Sequence, residues 1–288
     1  MNNSLTFDDV TLHYREEGDP HGPLAVLLHG FPDTNYTFRH LMPYLANLGY
    51  HVVAPAMRGY APSSVATTGD YQTATLSHDA IRLHEAFGGD SNAVLIGHDW
   101  GAAGTYPALA AAPERWRKAV TMAVPPLALM AQAFMTFDQL QRSWYMFYFQ
   151  SPLADVTVPL DDFTFIQRLW SDWSPHYDST VDVQHVREAL AEPANLAAAL
   201  GYYRAMFQPP ASTSALAPIH AAFSTVPAMP VLYLHGENDG CIGTSVVTDT
   251  LEHLAVGSEM HIVANAGHFL HLEQPDEVHH LIGEFLGR

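Results

Sequence analysis

Gly97-His98-Asp99-Trp100-Gly101 is the stretch of this chain most suited to chemistry. An apolar run from Ala93 to Ile96 feeds into it, and small apolar residues from Ala102 onward lead out, the pattern of a strand, a tight turn and a helix. Such a turn holds its central residue in a strained conformation and leaves room only for small residues two positions before and after it, which Gly97 and Gly101 supply. The centre is a carboxylate. At a helix N-terminus the dipole favours its ionised form, and an ionised carboxylate can attack carbon and make an ester. The plainer reading of Asp99 is a helix cap.

An enzyme ester must be cleaved again, which needs a histidine and an acid to orient it, following the nucleophile in the order acid, then histidine. The run Val231 to Leu234 enters His235-Gly236-Glu237-Asn238-Asp239-Gly240, where Asp239 is the expected acid and Glu237 the alternative. After Met260 to Val263 comes Asn265-Ala266-Gly267-His268-Phe269, whose small residues bring His268 onto a tight loop. Asp99 needs no base for its attack, so a neutral His268, oriented by Asp239, is expected to activate the water that cleaves the ester. His98 and His271 are read as packing residues. A second glycine turn, His29-Gly30-Phe31-Pro32-Asp33, closes the run Leu24 to Leu28. With it, the N–H groups of Phe31 and Trp100 can converge as an oxyanion hole, worth about 3 kcal/mol per donor. The Phe31-Pro32 bond is expected to be cis.

These loops need a scaffold. Residues 5 to 16 read as a hairpin around Asp8-Asp9, ended by Gly18-Asp19-Pro20. Leu24 to Leu28, Val52 to Pro55, Ala93 to Ile96 and Ala119 to Val124 are short apolar runs suited to strands buried on both faces. Tyr36 to Leu48 and Leu76 to Phe87 carry helical periodicity between them, so strand and helix alternate and the sheet is expected to be mostly parallel. After Pro125-Pro126 this rhythm stops, resuming only at Val231, and a last helix is expected over Pro275 to Leu286. The intervening stretch is rich in helix formers, aromatics and methionine. It predicts an α/β core, 1–125 and 219–288, interrupted by a helical cap, 126–218, with loops at Ser151-Pro152 and Gln208-Pro209-Pro210.

Composition narrows the partners. Twelve Lys and Arg against thirty Asp and Glu give a formal charge of −18, which opposes binding to nucleic acid or an anionic membrane. No apolar run approaches the roughly 20 residues of a membrane span, and Met1-Asn2-Asn3-Ser4 begins nothing like a leader, so a soluble, cytoplasmic protein is expected. The single cysteine, Cys241, forms no internal disulfide and is read as packing. The eighteen histidines show no metal-binding spacing, so neither metal nor cofactor is expected. A monomer and a homodimer both remain open.

Over essentially its whole length the chain resembles the epoxide hydrolases of the α/β-hydrolase superfamily, through His29-Gly30-Phe31-Pro32, Gly97-His98-Asp99-Trp100-Gly101 and Gly267-His268-Phe269. Arg58-Gly59-Tyr60-Ala61-Pro62-Ser63 is similar to a further loop of that family, with Ala61 where glycine is usual, and is assigned a structural role. The resemblance implies conversion of a small apolar epoxide and water to a vicinal diol through an Asp99 ester. It also implies two cap tyrosines that protonate the departing oxygen. The segment 142–150 resembles the first tyrosine motif at Tyr145, and Gly201-Tyr202-Tyr203-Arg204 the second at Tyr203; Tyr148 and Tyr202 are read as core. Phe31, Trp100, Trp144, Met146 and Phe269 are expected to line an apolar pocket. Haloalkane dehalogenases share the Asp-His-Asp set, and Trp144, Trp170 and Trp173 keep that alternative open. A non-catalytic binding protein on the same fold is a remoter one.

Overall fold

The computed structural model describes residues 3–209 and 213–287. Met1, Asn2 and the Pro210 part of the expected loop lie outside the described residues.

The opening hairpin is present as β1 (Ser4–Thr6) and β2 (Thr11–Glu17), paired antiparallel. Then β3 (Leu24–Leu28), α1 (Leu41–Asn47), β4 (His51–Pro55), α2 (Thr73–Ala86), β5 (Val94–His98), α3 (Trp100–Ala111) and β6 (Lys118–Met122) alternate as the periodicity predicts. The eight strands form one sheet in the order β1-β2-β4-β3-β5-β6-β7-β8, with β7 at Val231–Gly236 and β8 at Glu259–Val263. From β4 to β8 every pairing is parallel, whereas β2 runs antiparallel to β4. The central strands β3, β4, β5 and β7 are buried throughout, as strands covered on both faces by helices must be. The long helix expected over Tyr36 to Leu48 is instead a 3-10 turn at Asn35–Arg39 followed by α1.

Between β6 and β7 the chain forms α4 (Leu127–Ala133), α5 (Phe137–Arg142), α6 (Trp144–Tyr148), α7 (Leu153–Thr157), α8 (Leu160–Trp173), α9 (Thr180–Leu190), α10 (Pro193–Ala205) and α11 (Ala217–Ala222). The expected boundary at 218 falls inside α11. That helix packs on α2 and α3, with Leu216 and Ile219 against Ala74. The chain closes with α12 (Leu270–Glu273) and α13 (Pro275–Gly287). Among the described residues no helix is long and apolar enough to cross a membrane.

The Arg58 loop is a structural clamp. Its buried guanidinium donates to both carboxylate oxygens of Asp79, at 2.6 and 2.8 Å, and to Asp9 at 3.0 Å, so the charge is paired on every side as burial requires.

Candidate active site

Parallel register assembles the site at the C-terminal ends of the strands. Leu28 lies opposite Gly97, which sets the turn after β3 beside the turn after β5; Gly236 lies opposite Val263, which brings the loops after β7 and β8 together. Asp99 stands at the β5–α3 turn with φ 51° and ψ −117°, a backbone region that costs a non-glycine residue energy and persists only where the surroundings enforce it. The glycines do the enforcing by being small. A Cβ on Gly97 would overlap Gly101, one on Gly101 would overlap the Leu28 carbonyl, and one on Gly30 would overlap the Asp99 carboxylate itself.

The Phe31 N–H donates to Asp99 Oδ1 at 2.7 Å, and the Phe31-Pro32 bond is cis. Trp100 contributes the first amide of α3, one of the N–H groups a helix start leaves without an internal partner. The other Asp99 oxygen lies 3.5 Å from His268 Nε2, and His268 Nδ1 lies 3.0 Å from Asp239 Oδ2. Asp239 Oδ1 accepts from the Cys241 and Ile242 N–H groups at 2.7 and 3.0 Å. Glu237 instead accepts from the Asn265 N–H near the surface, away from the histidine. The loops are tied to α8 through one carbonyl: Trp173 O accepts from both His268 N and Gly240 N, at 3.0 and 3.2 Å. Nothing in the sequence marks Trp173 for this, because the bonds use its backbone.

Two carboxylates set the protonation of His268 in the free site. Burial favours the neutral ring, but the carboxylates of Asp239 and Asp99 outweigh it and push the pKa up to about 10, the direction that favours a protonated ring in the free site. Burial would raise Asp239, yet the histidine beside it holds its carboxyl below the ordinary range; the two directions agree on an ion pair. His98 lies beneath, its Nε2–H donating to the His268 carbonyl at 2.9 Å, and burial together with the His268 charge lowers its pKa to about 3. His271 is also buried and meets Thr37.

Asp99, Trp100, Met146 and Tyr203 share the wall of an apolar cavity with Val124, Met130, Phe134, Met206, Cys241 and Ile242. Two of the expected lining residues are elsewhere. Trp144 is 48 % exposed on the outer face of α6, packed on Tyr148 and Phe165. Phe269 is fully buried and stacked on Trp170 with ring centroids 3.4 Å apart. Helical phase turns the first outward, and α8 covers the second. Phe31 offers its N–H to the site while its ring packs on Phe149 and Tyr203. Cys241, read as packing, belongs to the wall. So do Met130, Phe134, Met206 and Ile242, which sequence alone could not separate from core because lining and core residues share one composition. A more open, polar cleft at the N-terminal ends of β3 and β4, lined by His21, His51 and Asp90 among others, holds none of the candidate residues.

Both tyrosines come together over the site. Tyr145 and Tyr203 are fully buried with ring centroids 5.6 Å apart. Burial first holds both phenols well above their ordinary pKa, with Cys241, Tyr203 and Asp99 adding to it at Tyr145 and Asp99 chief among the additions at Tyr203, so each keeps its proton. Tyr145 Oη lies 3.3 Å from Cys241 Sγ, whereas Tyr203 Oη has no well-formed hydrogen bond and lies beside the Trp100 indole, which is also unpaired. Tyr202 instead donates to the Arg58 carbonyl at 2.7 Å, and the Tyr148 hydroxyl meets Thr157.

Residues 23–275 match the model of the alpha/beta hydrolase fold family. The AB hydrolase superfamily protein YfhM of Bacillus subtilis is 31% identical, over 96% of this chain and 94% of its own length. Epoxide hydrolase A of Mycobacterium tuberculosis is 30% identical over the same shares. The crystal structure of epoxide hydrolase A from Mycobacterium thermoresistibile superposes with a TM-score of 0.81 at 26% identity, covering 100% of this chain and 98% of that one.

Proposed function

This chain belongs to the α/β-hydrolase fold family and, within it, to the epoxide hydrolases; from that premise we propose that it turns a small apolar epoxide into a vicinal diol through a covalent ester on Asp99. The observation that carries this reading is the carboxylate at the strained turn, one oxygen held by the Phe31 N–H and the other 3.5 Å from His268 Nε2.

In the first step an Asp99 oxygen attacks an epoxide carbon, the C–O bond breaks, and its electron pair passes to the ring oxygen, which takes a phenol proton from Tyr145 or Tyr203. Without that proton a bare alkoxide would have to leave into an apolar cavity. The resting imidazolium cannot serve as base, and ester formation solves this. Asp99 loses the charge that helps raise the His268 pKa, while the new tyrosinate needs a proton. Transfer from His268 to the tyrosinate restores the phenol and leaves a neutral histidine oriented by Asp239. That histidine takes a proton from water, hydroxide adds to the ester carbonyl, and the oxyanion is held by the Phe31 and Trp100 N–H groups. Collapse breaks the ester C–O bond, the departing oxygen takes the proton of the hydroxyl that was added, and the diol leaves an ionised Asp99 behind.

We assign the catalytic triad and oxyanion hole to the core, 1–125 and 219–288, and the proton donors to the cap, 126–218. Among the described residues the cavity wall carries one carboxyl side chain, that of Asp99 itself, and no Lys or Arg, which suits an uncharged substrate. The expected cytoplasmic location and a role in disposing of reactive epoxides belong to the same reading. The dehalogenase alternative loses support from the positions of its tryptophans: Trp144 faces outward, Trp170 donates to the Pro32 carbonyl at 2.7 Å, and Trp173 packs on His268 and Tyr145. A paired assay tests the choice. Diol release from styrene oxide without halide release from 1-bromobutane supports the proposal; halide without diol overturns it.

A further inference from the structure

Resting on that reading, we propose that Cys241 is a positioning residue for epoxide opening, its thiol holding the Tyr145 hydroxyl and supporting the tyrosinate that forms when the proton leaves.

The two phenols differ in their surroundings. Tyr203 has no well-formed hydrogen bond, but Tyr145 has one, the Cys241 sulfur at 3.3 Å. Cys241 is itself 1 % exposed and pinned at both backbone ends: its N–H donates to Asp239 Oδ1 at 2.7 Å, and its carbonyl accepts from Gln139 Nε2 of α5 at 2.9 Å. The thiol therefore has a fixed place between the acid loop, the cap and the cavity.

Direction follows from chemistry. Sulfur is a poor acceptor, so a phenol proton moves to an epoxide oxygen when one arrives; an S–H is a weak donor whose bond strengthens when the acceptor gains charge. Cys241 keeps that proton, since burial and the Asp239 and Asp99 charges all oppose a thiolate. A tyrosinate at Tyr145 without this donor would be a buried charge stripped of its one local partner among the described residues.

The test measures ester formation by rapid quench and intact mass in a His268→Gln background with styrene oxide, where the Asp99 ester accumulates. Failure of any ester to form in that background would count against the covalent reading itself, separately from the thiol. With the ester forming, Cys241→Ala is expected to slow its appearance about fivefold, the loss of one modest hydrogen bond, and Cys241→Ser, which keeps a donor, to recover most of the rate. Adding Cys241→Ala to Tyr145→Phe should change nothing further, while adding it to Tyr203→Phe should again cost about fivefold. Equal effects in both tyrosine backgrounds, a serine variant as slow as alanine, or an unchanged rate in Cys241→Ala would overturn the proposal. Should the alanine variant lose its fold, Cys241→Val, similar in size and without a donor, takes its place in the cycle.

Discussion

Asp99 sits at a turn where three glycines crowd its backbone and its carboxylate, whereas Tyr145 sits within a helix among Phe149, Trp173 and Tyr203. The core positions its group by backbone strain over a few residues. The cap positions its groups by packing between helices far apart in sequence. A methyl group in the wrong place should therefore be ruinous on the core side, while the cap should tolerate change except where a phenol is removed.

The largest expected effect is on the core. Asp99→Ala should abolish diol release, a loss of at least about 10³-fold in kcat, with the circular dichroism spectrum unchanged. Gly30→Ala would sharpen the point without removing a functional group: its Cβ overlaps the Asp99 carboxylate, and turnover should fall by about 10²-fold or more. On the cap side, replacing Tyr145 and Tyr203 together by Phe should remove epoxide opening to a comparable degree, and each alone should cost about tenfold. A double mutant with normal rates would break the comparison, since the cap would then contribute only shape.

Smaller effects separate lining from packing. Phe269→Ala should destabilise the fold by about 3 kcal/mol or more through the cavity it leaves under Trp170, read as a lowered Tm. Trp144→Ala should leave kcat/KM within about twofold, because the ring stands outside the cavity. His268 titration offers a further check. Its raised pKa means the ion pair stabilises the fold fully below pH about 6.5, and the contribution is lost as pH rises through about 10. Asp99→Asn removes one of the carboxylates that raise it, so the His268 Cε1–H resonance should titrate at a lower pH than in the wild type.

The same contrast explains what could be read without coordinates. That Asp99, His268 and Asp239 would lie together was legible because strained turns impose small residues at fixed offsets, and parallel strands bring their loops together in a predictable order. The alternation of strand and helix was legible for a similar reason, since burial on both faces leaves short apolar runs. Tyr145 and Tyr203 were visible only through resemblance, as helical spacing alone gives an aromatic no address. Trp144 and Phe269 were misplaced because which side of a helix faces a cavity depends on how distant helices pack. The raised pKa of His268 in the free site was not legible, since two carboxylates within 3.0 and 3.5 Å are a property of the assembled site.

The most direct test of the account is the intact mass of the His268→Gln variant mixed with styrene oxide. The account predicts that the protein gains the mass of one substrate, that peptide mapping places it on Asp99, and that it persists after excess substrate is removed. A mass that stays unmodified while the wild type releases diol would contradict the covalent route and leave Asp99 to act on water instead.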